Sequence, residues 1–306
     1  MLDYALLETL AAVARHGSFE RAAQDLNVTP SAISQRVKLL EERVGSILIK
    51  RGQPCTPTPS GAMLCQHAER VRFMEVELGT HMPSLPGAAS DQLTLFRVAV
   101  NDDSMSTWFV ESMADFCVER GILLDIVVDY HDHTIQLIRD GSVQGAVTTQ
   151  ANVIQGWKSI KLGRMKYLAV CSPNYHAKFF KNGLTRDTFR HAPQISFTAK
   201  DELPSRYVKR VVRAEVHPPV HFVPHRLGFV RCCVAGLGWG MCPQRMVANL
   251  LRDCQLVEVS PGCHLDVDLY WQCWKLSVGW LDDISSVLSE RAVSSLNASA
   301  GALRHS

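Results

Sequence analysis

The sequence predicts an α/β protein in which an all-α N-terminal winged helix-turn-helix precedes a larger region of two successive βαβ units. Three observations carry this. Between Gly17 and Gly45 the chain reads GSFERAAQDLNVTPSAISQRVKLLEERVG, two short amphipathic helices around a tight turn. One long amphipathic helix and a stretch rich in Pro, Gly and Ser follow it. From residue 92 onward, β-type runs alternate with helical ones, the pattern of a mostly parallel sheet covered by helices.

A first helix is expected over Tyr4 to Ala14. The next opens at Ser18, whose hydroxyl can cap free amides, and buries Phe19, Ala22, Ala23 and Leu26. Asn27 and Val28 make the turn. Thr29 caps the third helix and Pro30 takes its first position, where a missing N–H costs nothing. Ile33, Val37, Leu40 and Val44 recur at helical spacing and are expected in the core, leaving Ser31, Ser34, Gln35 and Lys38 outside. Gln can read an adenine edge with two hydrogen bonds, Ser and Thr bond bases or phosphates, and Lys and Arg neutralise phosphates or contact guanine. Residues 48–61, LIKRGQPCTPTPSG, read as a wing carrying Lys50 and Arg51. The candidate DNA-binding set is therefore Ser18, Thr29, Pro30, Ser31, Ser34, Gln35, Lys38, Lys50 and Arg51.

Residues 1–61 resemble the DNA-binding domain of the LysR-type transcriptional regulators. The family's pattern F-x-x-A-A-x-x-L-x-V-[ST]-x-[SP]-A-[IV]-S-x-x-[IV]-x-x-L-E runs from Phe19 to Glu41. Within the family, NDDSMSTWF (101–109), GAVTTQ (145–150) and AGLGWGMCP (235–243) resemble the branch that regulates lysine and arginine exporters. The resemblance covers essentially the whole chain. It implies a periplasmic-binding-protein-like, two-lobed effector domain with two crossings and a cleft between the lobes.

The expected organisation is a DNA-binding domain over 1–61, a linker helix and hinge over 62–91, and the effector domain over 92–306. Lobe I spans about 92–163 and 266–300, and lobe II about 164–265. The linker helix runs from Ser60 to about Leu78, with Leu64, Val71 and Leu78 seven residues apart and Ala68 and Met74 near the same stripe. So narrow a stripe wants a partner helix, and the resemblance implies a dimer. HMPSLPGAASDQ marks the hinge.

In the first βαβ unit LTLFRVAV, a helix from about Ser106, LLDIVVDY, a helix from about Thr134 and VQGAVTT follow in order. The second unit begins near Tyr167 (YLAVCS) and includes PQISF and VHFV. LDVDLYWQCW and a helix over 280–296 are expected to return to lobe I, and the last ten residues read as a frayed tail.

Ligands bind such lobes beyond the carboxyl ends of strands. The first strand runs into Asn101, Asp102, Asp103, Ser104 and Thr107, and a helix beginning near Ser104 to Thr107 would offer free N–H groups to an α-carboxylate. Asp102 or Asp103, with Asp132 at the end of the next strand, supplies negative charge for a lysine ammonium or arginine guanidinium. The resemblance carries the N-x-D-S-x-x-T-W pattern onto Asn101, Asp103, Ser104, Thr107 and Trp108, and a cleft-lining strand end onto Thr148 and Thr149. The chain departs from that branch after Val223-Pro224. His225, Arg226 and Leu227 stand where small hydroxyl residues are usual, and a basic pair there would repel a cationic ligand and attract a second carboxylate. His225 joins the candidate effector-binding set.

Composition agrees. The chain has 306 residues with 46% hydrophobic content, enough for two or three ordinary domains. A net charge of only +2 excludes a general polyanion binder, so DNA affinity must come from a local surface presented twice. Asp3, Glu8 and Arg15 interrupt the apolar residues of the N-terminus, and nothing later approaches a membrane-spanning run, so a cytoplasmic protein is expected. The ten cysteines contain no C-x-x-C pair, and most are expected to be buried thiols. His217, His221 and His225 with Cys232 are read as a solvated loop and edge strand, since Pro218 and Pro219 break ligand spacing. No metal or cofactor is expected. G-x-S-x-G, H-E-x-x-H and P-loop motifs are absent, and GLGWG at 236–240 lacks a dinucleotide fingerprint, so no enzyme is expected.

The resulting expectation is a homodimer, pairing further into a homotetramer, that binds double-stranded DNA. It would sense lysine or arginine and activate an amino-acid exporter gene, with RNA polymerase a further partner. The alternative is an architectural or origin-binding DNA protein that acts without a small-molecule effector.

Overall fold

The computed structural model describes residues 2–82, 94–129, 134–139, 141–276 and 279–297. Most of the expected hinge, Asp132 and the tail from 298 lie outside the described residues.

The N-terminal unit consists of α1 (Tyr4–His16), α2 (Phe19–Asp25), α3 (Pro30–Val44) and a wing of β1 (Ile49–Lys50) and β2 (Thr56–Pro57). Ser18 Oγ accepts from Arg21 N and Thr29 Oγ1 from Ala32 N, so both expected caps start their helices. Asn27 makes the turn at φ 51°, a left-handed conformation that Asn tolerates well. Leu7, Leu10, Ala22, Ile33, Val37, Leu40 and Leu48 form the core. Val44 is exposed rather than buried; it is the last residue of α3, before Gly45 ends the helix at φ 75°. Glu41 ties the wing to α3 by accepting from Leu48 N at 2.8 Å.

The linker helix α4 (Pro59–His81) is longer than expected at both ends, with Thr58 as its cap. Its apolar stripe splits. Leu64 and Ala68 pack on the N-terminal core, while Met63, Met74 and Leu78 stay exposed. Phe73, outside the predicted stripe, is buried against the second domain, its ring 4.9 Å from that of Trp280 and 5.7 Å from that of Trp274.

The second domain begins with β3 (Thr94–Asn101), α5 (Asp102–Ser104), a π-helical turn (Met105–Phe109), α6 (Val110–Arg120), β4 (Ile122–Asp129), α7 (Thr134–Arg139) and β5 (Gly145–Thr148). A long strand β6 (Trp157–Cys171) leads into lobe II. There α8 (Pro173–Phe179), α9 (Arg186–His191), β7 (Gln194–Ser196), α10 (Leu203–Val212) and β8 (Val220–Phe222) are followed by α11 (Arg226–Val234), β9 (Trp239–Pro243), α12 (Gln244–Arg252) and β10 (Val257–Glu258). The chain returns through β11 (His264–Trp274) and closes with α13 (Gly279–Asn297) on lobe I.

One sheet threads both lobes in the order β4-β3-β5-β11-β6-β9-β7-β8, with β10 beside β6. It is mixed rather than mostly parallel. β3 pairs in parallel with β4 and β5, and β7 with β8 and β9, but β6 and β11 cross between the lobes in opposite directions and pair antiparallel. Helix formation after β3 also starts earlier than expected, at Asp102, because Asn101 Oδ1 takes the Ser104 N–H at 2.8 Å. The GLGWG glycines serve packing. Gly236 turns at φ 78°, and a Cβ on Gly240 would stand 2.5 Å from the Phe229 ring, so α11 lies directly on β9.

Candidate nucleic-acid interface and ligand cleft

On α3, Ser31, Gln35 and Lys38 are exposed and Ser34 half-buried, a polar face opposite Ile33, Val37 and Leu40. Pro30 opens the helix at its exposed end, and the hydroxyls of Ser18 and Thr29 are engaged in capping. Lys38 lies 3.8 Å from Glu42, one turn on, and both remain well exposed. In the wing, Arg51 is exposed with its guanidinium 5.4 Å above the Phe19 ring. Lys50 is also exposed but lines a groove between the wing, α4 and lobe I, together with Arg15, Arg72 and Arg97. The sequence grouped Lys50 with Arg51, although alternation along a strand turns neighbours to opposite faces.

The second cluster forms where β3 ends against lobe II. Asn101, Asp103 and Ser104 are buried. Asn101 Nδ2 and Ser104 Oγ have no hydrogen-bond partner among the described residues. The Ser104 N–H, expected to be free for a carboxylate, is taken by Asn101. Thr107 turns its hydroxyl back to the Asp103 carbonyl oxygen at 2.5 Å, and Trp108 is core, 6.1 Å from Phe109 between ring centres. Thr148, at the end of β5, is buried and accepts from Gln150 N at 3.1 Å; Thr149 is half-buried. Asp132 lies outside the described residues.

Asp102 and Asp103 meet a cation from the other lobe. Arg226 Nε donates to Asp102 Oδ2 at 3.3 Å, and Arg226 Nη2 stands 2.8 Å from Asp103 Oδ1, an ion pair not aligned as a hydrogen bond. The other oxygen of Asp103 accepts from the Tyr167 hydroxyl on β6 at 2.6 Å. The guanidinium also lies 4.6 Å over the Phe197 ring and 5.6 Å from that of Phe229. Burial works against its charge, but Asp103 above all, with Tyr167, Cys242 and Asp102, holds its pKa above the ordinary arginine value. Burial and the adjoining Asp103 push the Tyr167 phenol well above the usual range, so it stays a protonated donor.

The expected repulsion of a cationic ligand by His225 and Arg226 is thus corrected. Arg226 is neutralised by two carboxylates, and His225 is exposed and caps α11 by accepting from Gly228 N at 3.0 Å. Tyr167 and Phe197 had no signal in the sequence: they reach the cluster from β6 and from the end of β7 only through the fold.

β8, which carries His221, is an exposed edge strand. Burial pushes the thiols of Cys65 and Cys171 up to about 12, which keeps them protonated and unreactive at neutral pH. Among the described residues, no helix is long and apolar enough to cross a membrane.

Comparison with known proteins gives this arrangement a family context. Residues 4–62 match the bacterial regulatory helix-turn-helix protein, lysR family, and residues 91–275 the LysR substrate binding domain. The HTH-type transcriptional regulator ArgP of Pseudomonas aeruginosa is 40% identical over 295 residues, 95% of this chain and 96% of that protein. The crystal structure of ArgP from Mycobacterium tuberculosis superimposes with a TM-score of 0.83 at 39% identity, over 95% of this chain and 98% of that one. Full-length LysG from Corynebacterium glutamicum, with bound effector Arg, gives a TM-score of 0.73 at 30% identity, over 96% of this chain and 99% of that one. These relatives are named as regulators, not as enzymes.

Proposed function

The chain belongs to the LysR family of bacterial helix-turn-helix regulators, and from that membership we propose that it senses a basic amino acid, arginine or lysine, and activates an exporter gene for it. The observation that carries the ligand class is the Asp102–Asp103 pair at the junction of the lobes. Backed by Tyr167 and the Phe197 ring, it is built to hold a guanidinium or ammonium group. The unpartnered Asn101 Nδ2 and Ser104 Oγ beside it suit an α-carboxylate. The relative whose structure holds arginine supports the same class.

Two copies of α3 would enter successive major grooves of an imperfect palindrome, with Gln35 and the serines reading bases and Arg51 meeting phosphate. The exposed Met63, Met74 and Leu78 of α4 offer the apolar stripe for a partner helix, and two such dimers would pair into a tetramer. Ligand acts by binding one arrangement of the lobes better than the other, which shifts the DNA footprint and contacts with polymerase.

The decisive experiment is footprinting of the chain on its own promoter region with and without arginine or lysine. A protected region that changes extent with either amino acid supports the reading, whereas broad, ligand-insensitive occupancy supports an architectural DNA-binding role. Base reading has its own check. Gln35→Ala is expected to weaken specific binding by about 1–3 kcal/mol and leave binding to random DNA nearly unchanged. Equal losses on both DNAs would mean that Gln35 touches only the backbone.

A further inference from the structure

The cation that fills the carboxylate pair belongs to the protein. Arg226 is the first residue of α11, so its side chain is aimed by a capped helix start rather than by a loose loop. It crosses from lobe II to lobe I and has only 12% of its side chain exposed, against 21% for Asp102 and 11% for Asp103. Its guanidinium uses both carboxylates and lies against two aromatic rings, Phe197 and Phe229, the features by which the site would recognise a free basic side chain.

We propose that Arg226 is a built-in competitor of the effector, occupying the subsite for the ligand's cationic group and holding the lobes together until a basic amino acid displaces it. The proposal rests on the basic-amino-acid reading above and adds a threshold to it. A ligand that binds only when Arg226 has swung out sees its affinity reduced by the fraction of time the subsite is vacant. If Arg226 is in place about nine-tenths of the time, the apparent affinity falls about tenfold. The same contacts hold one arrangement of the lobes while no ligand is bound, so the response is set by exchange of one cation for another.

The test is calorimetric titration of full-length wild type, Arg226→Ser and Arg226→Gln with L-arginine and L-lysine, combined with melting curves in ethylguanidinium, a side-chain fragment without the amino-acid head. Arg226→Gln preserves much of the side-chain volume, should the serine variant fold poorly. Both variants are expected to bind arginine about tenfold or more tightly than wild type. Ethylguanidinium is expected to raise the melting temperature of the variants but not of wild type. Equal arginine affinity in all three proteins overturns the competition and leaves basic-amino-acid sensing standing. Failure of every protein to bind arginine or lysine, with ethylguanidinium still stabilising only the variants, overturns the sensing reading while supporting Arg226 as the occupant of a cation subsite. No stabilisation of either variant by ethylguanidinium removes the subsite itself.

Discussion

Replacing Asp103 with alanine is expected to destabilise the effector domain by about 3–5 kcal/mol, the usual cost of removing one partner from a buried ion pair. Two groups lose a partner at once. The Tyr167 hydroxyl, donated to Asp103 at 2.6 Å, is buried in the sheet, and an unsatisfied buried donor alone costs about 1–3 kcal/mol. Arg226 keeps Asp102 at 3.3 Å but loses its 2.8 Å contact, which places the cost at the lower end of the range. Asp103→Asn separates the two contributions, because an amide oxygen can still accept from Tyr167 while the charge is gone. The expected order of stability in urea is wild type, then Asp103→Asn, then Asp103→Ala, with the N-terminal unit unfolding as before. Coincident unfolding curves for wild type and Asp103→Ala would show that Asp103 is solvated rather than bound across the lobes.

That network also marks the limit of what the sequence discloses. The starts of the helices in the helix-turn-helix were legible because their signals are local: Ser18 and Thr29 as caps, Pro30 at the helix start and Ile33, Val37 and Leu40 at helical spacing. The end of β3 was legible as the place where polar side chains gather, since the strand stops at Asn101 and the aspartates follow it directly. The partner of its aspartates was not. Arg226 lies 124 residues from Asp102, and no spacing rule connects them. Read alone, its charge predicts repulsion of a cation; beside two carboxylates it becomes their counter-ion. The split stripe of α4 has a similar cause. Periodicity shows that a helix has an apolar side, but Leu64 and Ala68 pack on the N-terminal core and Phe73 on lobe I, and only the fold says which surface covers which turn.

Phe73 is consequently where the DNA-binding unit should be most easily uncoupled from the effector domain. Its ring is 1% exposed and wedged between Trp274 and Trp280, and Phe96 lies 5.7 Å beyond Trp280. Polar contacts flank it: Arg70 sits 5.4 Å over the Trp274 ring, Arg72 donates to the Leu95 carbonyl oxygen at 3.4 Å, and Glu77 accepts from Gly279 N at 3.0 Å. The exposed members of that set contribute little by themselves, so the aromatic wedge carries most of the docking. Phe73→Ala is expected to cost about 3–5 kcal/mol, by lost transfer energy and by the cavity left between the tryptophans. Because the N-terminal half of α4 packs on the DNA-binding core through Leu64 and Ala68, the loss should fall on the effector domain and spare the N-terminal unit. Scanning calorimetry should then show the effector-domain transition moved to lower temperature with the other unchanged, and Phe73→Leu should recover much of the difference. Affinity for a single half-site should persist, whereas any ligand-dependent change of footprint on the full operator should be lost, since α4 is the segment that both domains grip. Calorimetric traces of Phe73→Ala that superimpose on wild type would mean that α4 is held on lobe I by its charged contacts instead.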